Sequence, residues 1–254
     1  MKMLVDTDAR QLTVENGRGN RTLPLYSREA FEVLSQQWVN VGWDQKYPYT
    51  FSWFGRPIIQ LPEDIIRIQE VLYRLKPDVV IETGVAHGGS LVLYASLCKA
   101  MGKGKVIGID VEIRKHNRAA IEAHELAPWI ELVEGDSVSR ETVAQVARLV
   151  PPGASVIVIL DSCHSYEHVL AELNGYCGFV TPGSYLVATD GVMEWVAECP
   201  RGKPSWKTDN PCSAVKAFVG GHPEFVLETP SWPFNESNLK ANVTHWPLAW
   251  LQRR

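Results

Sequence analysis

This chain of 254 residues has no C-x-x-C pair, no basic excess and no apolar run long enough to span a bilayer. Each absence removes a class of function. The five cysteines (Cys98, Cys163, Cys177, Cys199 and Cys212) are odd in number and scattered, so they predict reduced thiols rather than a disulfide framework or a zinc site. A net charge of -4 excludes the basic face of a non-specific nucleic-acid binder. Without an apolar stretch behind Lys2 or a membrane-spanning segment later, the expectation is a cytoplasmic protein that meets neither membrane nor nucleic acid. The tripeptides at Asn235 and Asn242 match glycosylation sequons and are discounted for the same reason. No internal repeat and no low-complexity segment is present.

What is present is an alternation of apolar strands and helical segments. Val79–Glu82, Val106–Asp110, Ile130–Glu134, Val156–Leu160 and Ser184–Ala188 read as strands, with helical periodicity between them. Strands apolar throughout and separated by helices predict an α/β fold, a parallel sheet covered on both faces. Acids fall at the strand ends: Glu82, Asp110, Asp136, Asp161 and Asp190. That edge is where open α/β sheets bind ligands.

Outside this block the pattern is weaker. Residues 1–48 show no clear strand periodicity, and Ser27–Trp38 predicts a helix. Residues 47–57 read as an aromatic, proline-punctuated loop, and a helix follows from Pro62 to Leu75. Residues 1–60 are therefore expected to form an N-terminal helix and loop decoration on a domain spanning 61–254. Beyond Asp190 the sequence predicts a long loop to Cys212, a helix over 212–219, a short strand over 224–228, an aromatic loop over 230–242 and a final strand over 245–252.

The segment Glu82-Thr83-Gly84-Val85-Ala86-His87-Gly88-Gly89-Ser90 joins the first strand to its helix with the spacing E-x-G-x-x-x-G-G. This is not the G-x-G-x-x-G of dinucleotide enzymes. A carboxylate in that turn repels a pyrophosphate and suits a cationic amino-acid ligand. S-adenosylmethionine, with an ammonium, a sulfonium and no phosphate, is the leading candidate. Glu82, Gly84, Gly88 and Ser90 would form the cofactor loop, and Asp110 would accept from the ribose hydroxyls. His87 is a further cofactor candidate within the loop. Asp136 and Ser137 either meet the adenine or cap the following helix.

Methyl transfer needs an aligned acceptor oxygen and a group to take its proton. His164, three residues after Asp161, is the candidate base, because imidazole titrates near neutrality. His168, a turn further on, reads as structural. Asp161 and Asp190 suit either a hard cation such as Mg²⁺ or direct contact with the acceptor. His222, Glu224 and His245 imitate an iron-binding triad without its context.

Several of these motifs occur together in one known family. Trp53-Phe54-Gly55-Arg56-Pro57-Ile58-Ile59-Gln60, Glu82-Thr83-Gly84 with Gly88-Gly89-Ser90, Gly108-Ile109-Asp110, Leu160-Asp161-Ser162-Cys163-His164-Ser165 with Glu167-His168-Val169-Leu170, and Thr181-Pro182-Gly183-Ser184-Tyr185 resemble the cephalosporin-hydroxylase-like family of O-methyltransferases. Rhamnosyl and macrolide-sugar O-methyltransferases are its close relatives. The resemblance runs from about Phe54 to Asp190 and more loosely to Arg254. It implies a Rossmann-like, seven-stranded class I methyltransferase sheet, mostly parallel with an antiparallel last strand, and a homo-oligomer. It further implies a divalent metal held by Asp161 and by an acidic pair after the fifth strand, with His164 as base. Here that pair is Thr189-Asp190, a hydroxyl replacing one carboxylate, so Asp161, Asp190 and Thr189 are the expected metal set.

The expected activity is transfer of a methyl group from S-adenosylmethionine to a hydroxyl of a sugar or glycosylated small molecule. Two other readings remain open, a non-catalytic cofactor-binding module of a biosynthetic complex and a nicotinamide-dependent oxidoreductase. Missing glycine spacing and Glu82 disfavour the second.

Overall fold

The computed structural model describes residues 1–17 and 19–254. The chain opens with strands β1 (Lys2–Asp6), β2 (Gln11–Asn16) and β3 (Gly19–Pro24), an antiparallel sheet of three. This corrects the expectation that the first 48 residues hold no strand. Leu12 and Val14 are the buried residues of this sheet and pack on Ala30, with Met3 and Leu23 partly buried against them, while most of β1 and β3 is exposed. Ser27 caps helix α1 (Arg28–Asp44) by accepting from the Ala30 amide. The helix outruns its expected end because Val39 and Trp43 pack against Val192 and Val196. The aromatic loop over 47–57 proves to contain a hairpin, β4 (Phe51–Trp53) and β5 (Arg56–Ile58), turning at Phe54-Gly55.

Then come α2 (Pro62–Leu75), β6 (Val79–Thr83), α3 (Gly89–Met101), β7 (Lys105–Asp110), α4 (Lys115–Glu122), β8 (Ile130–Glu134), α5 (Arg140–Leu149), β9 (Val156–Leu160), α6 (Tyr166–Tyr176) and β10 (Tyr185–Ala188). The stretch after Asp190 holds a short helix, α7 (Met193–Val196), and is followed by α8 (Pro211–Gly221), β11 (Phe225–Leu227) and β12 (Trp250–Arg253). The late strand is shorter than expected. Pro247 supplies no amide and Leu248 has φ +56°, so residues 245–248 stay out of the sheet, and pairing with β10 begins where Ala249 O accepts from the Ala188 amide.

Seven strands form one sheet in the order β11-β12-β10-β9-β6-β7-β8. β8, β7, β6, β9 and β10 run parallel, and β12 is antiparallel to both neighbours. Period-two alternation sends side chains to two cores. Val80, Ile157 and Ile159 face α2 and α3, whereas Val79, Ile81, Val158 and Leu160 face α6 and α8. Strand order reverses between β6 and β9, which places the ligand crevice beyond Thr83 and Leu160. Among the described residues, no helix is long and apolar enough to cross a membrane.

Candidate active site

The β6–α3 turn is held at backbone level. Gly84 has φ +92°, and a Cβ there would sit 2.1 Å from the Asp161 carbonyl oxygen, so only glycine fits. Two residues from other elements fix the turn through its own carbonyls. Arg56 donates to His87 O at 2.6 and 2.9 Å, and Asn117 Nδ2 donates to Ala86 O at 2.8 Å. Arg56 also donates to Asn117 Oδ1, closing the brace. His87 thus joins the brace through its carbonyl. Asp110, from the end of β7, accepts from the Val85, Ala86 and Glu112 amides. Three of its roughly four lone-pair sites are used inside the protein.

Glu82 points the same way as Val80, into the α2–α3 side, and is fully buried. Ser90 Oγ donates to its Oε2 at 2.6 Å. Oε1 has no partner. Burial, and then the charge of Asp161, push the Glu82 carboxyl well above the usual carboxylate range. Glu82 therefore lies beneath the glycine turn.

Asp161, His164 and Asp190 converge as their strand-end positions suggest. One donor atom from each lies within 4.8 Å of the others, and His164 Nε2 is 3.4 Å from Asp190 Oδ2. Burial and then Asp190 raise the Asp161 pKa to about 6, while His164, Thr189 and Gln60 oppose the rise. Thr189 is buried, with Oγ1 2.5 Å from Asp161 Oδ1 and 2.9 Å from Leu160 O. Asp190 itself has φ +54°, a left-handed backbone that a non-glycine residue adopts only where its surroundings hold it there. Two carboxylates and a hydroxyl, partly desolvated and, among the described residues, with no lysine or arginine bonded to them, are the oxygen donors a hard divalent cation takes.

Sequence reasoning missed the layer behind these groups. Asp64 reads as a helix-start acid, but it accepts from the Thr244 hydroxyl and from the His245 amide at 2.8 Å. Burial raises its pKa to about 8. His245 is buried too; desolvation lowers its pKa and the charge of Asp190 opposes that.

On the other face, Glu172 of α6 is fully buried. Its Oε1 accepts from Ser137 Oγ at 2.6 Å and Ser162 Oγ at 2.7 Å, and His168 Nε2 lies 3.3 Å away. The Glu172 hydrogen bond holds the His168 pKa above its ordinary value. Ser137 thus turns its hydroxyl inward, while Asp136 stays exposed at the end of β8 and accepts from the Val138 amide. The one available signal for Glu172 was its place a helical turn beyond His168.

The family model described as Rhamnosyl O-methyltransferase/CmcI matches residues 45–254. A rhamnosyl O-methyltransferase of Mycobacterium leprae is 32% identical over 155 residues, 60% of this chain and 65% of the relative. One from Mycobacterium tuberculosis is 31% identical over 163 residues, 63% of this chain and 62% of the relative. The match thus spans less than two thirds of the length of either relative. A solved structure of CmcI with Mg and SAM aligns over 81% of this chain and 77% of its own, with a TM-score of 0.53 and 19% identity, which is a likeness of fold.

Proposed function

This chain belongs to the rhamnosyl O-methyltransferase/CmcI family, and from that membership we propose that it is an S-adenosylmethionine-dependent O-methyltransferase acting on a sugar hydroxyl. The observation that carries the reading is electrostatic. Glu82 and Asp161 sit at one sheet edge with pKa values raised by burial and by nearby carboxylates, and no lysine or arginine among the described residues is bonded to them. A cationic ligand offsets that cost by favouring the ionised carboxylates. A methyl donor bearing an ammonium and a sulfonium does so; a dinucleotide adds more negative charge.

In this reading the glycine turn at Gly84, Gly88 and Ser90 lets the donor approach the backbone, with Glu82 Oε1 left for its ammonium and His87 flanking the turn. Asp110 keeps a lone-pair site for a ribose hydroxyl, and Asp136 with the backbone of Ser137 flanks the adenine. The acceptor oxygen attacks the methyl carbon as the carbon–sulfur bond breaks, and His164 takes the hydroxyl proton. Products are a methyl ether, S-adenosylhomocysteine and a proton. Asp190, 3.4 Å from His164 Nε2, stabilises the imidazolium that forms. Asp161 and Asp190 would hold a divalent cation, and Thr189 Oγ1, which keeps lone pairs after donating to Asp161, would add a neutral oxygen. When bound, that cation lowers the pKa of the acceptor hydroxyl.

Two measurements test the proposal. Calorimetry should show binding of S-adenosylhomocysteine and none of NAD. Tritium should pass from labelled S-adenosylmethionine to methyl α-L-rhamnopyranoside, and should stop after EDTA treatment until Mg²⁺ is restored. Binding of NAD in place of the thioether would overturn the cofactor assignment.

A further inference from the structure

A second cavity lies beside the acidic crevice. It has a volume of about 600 Å³, within the range of about 300–1,000 Å³ usual for small-molecule sites. Trp195, Trp232, Trp246, Trp250, Asn242 and Lys240 are among its walls. Four of the nine tryptophans in the chain converge here from three separate segments. Among the described residues no acidic side chain lines the cavity.

Resting on the methyltransferase reading, we propose that this tryptophan-walled cleft is the acceptor subsite and holds a neutral glycosyl group by stacking, with the hydroxyl to be methylated turned toward Asp190 and His164.

The rings are fixed before any ligand arrives. Trp246 and Trp250 are 3% and 4% exposed and belong to the core on the α2–α3 side of the sheet, so they form a rigid floor. Trp232 is held from both ends, its Nε1 donating to Asn242 Oδ1 at 2.6 Å and its ring lying 4.6 Å from the Arg67 guanidinium. Trp195 is 36% exposed and forms the opposite wall. Pre-set aromatic walls spare a ligand the entropy of ordering them.

One wall of the cleft is packed against the segment that follows Asp190. Pro247, which lines it, approaches so closely that a Cβ on Gly191 would lie 2.5 Å from its carbonyl oxygen. Gly191 directly follows Asp190. The Val192 amide donates to His245 O at 3.0 Å, tying the two segments together.

The chemistry of the walls selects the ligand. Indole faces stack on the C–H faces of a sugar ring, which are apolar enough to prefer them to water. With its Oδ1 taken by Trp232, Asn242 offers an amide N–H for ring hydroxyls. The acids and the indoles thus divide the edge into a region for the cationic donor and a region for the neutral acceptor.

The test uses the full chain and methyl α-L-rhamnopyranoside as probe, followed by saturation-transfer NMR with and without S-adenosylhomocysteine. Trp195→Ala should cut the rhamnoside signal by about fivefold, the scale of one lost aromatic contact. Trp195→Phe should keep most of it, and calorimetry should find S-adenosylhomocysteine affinity unchanged in both variants. A rhamnoside signal that is absent from the wild type, or equal in wild type and Trp195→Ala, would overturn the proposal. So would equal losses in the two variants. Failure of S-adenosylhomocysteine to bind the wild type would instead remove the cofactor reading, with the cleft judged on the rhamnoside signal alone.

Discussion

The hydroxyl of Thr189 lies 2.5 Å from Oδ1 of Asp161, so the residue before Asp190 steadies the acid at the end of the neighbouring strand. Donation to a carboxylate favours its ionised form. Thr189→Val removes the donor while keeping the shape. Asp161 should then titrate above its present value of about 6. The acidic limb of the pH–rate profile should move to higher pH, and a profile matching wild type would detach Thr189 from Asp161.

His164→Ala tests the base. Turnover should fall by roughly 10²–10⁴-fold, the usual worth of a general base. Calorimetric affinity for S-adenosylhomocysteine should hold, because His164 pairs with Asp190 rather than with the glycine turn. Undiminished turnover would take His164 out of the mechanism.

Asp64 governs part of the pH dependence of stability. Its pKa is raised from 3.8 to about 8, so its contribution is complete below about pH 4 and is lost as pH climbs through about 8. His245 runs in the opposite sense: its lowered pKa costs stability as pH falls below about 6.5. Between pH 7 and 8 the Asp64 effect is therefore separated from that of His245, and comparison with an uncharged variant separates it from that of His168, whose raised pKa acts in the same direction. Asp64→Asn keeps an amide that accepts from His245 N and donates to Thr244, without the charge. The melting temperature of wild type should drop across that interval more steeply than that of the variant.

Glu172 binds two loops and a helix into one unit. Glu172→Ala removes the shared acceptor of the Ser137 and Ser162 hydroxyls and leaves them only His168 Nε2, 3.2 Å from each, at a cost of about 1–3 kcal/mol for a buried hydroxyl left without a partner. Glu172→Gln retains an oxygen for both serines and loses only the pairing with His168. Urea denaturation should rank stability as wild type, then Gln, then Ala. Equal midpoints for Gln and Ala would show that the serine bonds carry no weight.

The central sheet was legible because its parallel strands are buried on both faces and so read as unbroken apolar runs, as at Val156–Leu160. The convergence of Asp161, His164 and Asp190 followed from their positions at strand ends. The N-terminal meander was not legible, since a small sheet with one covered face needs only Leu12 and Val14 as apolar anchors. The final strand was set too early because Trp246, Ala249 and Trp250 are core residues whether or not the backbone is extended. Asp64 and Glu172 stayed hidden for a different reason. Their partners Thr244, His245, Ser137 and Ser162 are distant or irregularly spaced in sequence, and nothing in a helical pattern marks an acid that turns inward.

Strand β12 sits between β10 and β11. On the ribosome, Phe225–Leu227 emerges well before Trp250–Arg253 and has no neighbouring strand to pair with until that later piece arrives. Phe218, whose ring meets Phe225 edge-on at 5.4 Å, can shelter it from α8 in the interval. The nascent chain must therefore wait with its last helix docked and its outermost hydrogen-bonding edge open, a stage at which a chaperone or a second nascent chain would find its opportunity.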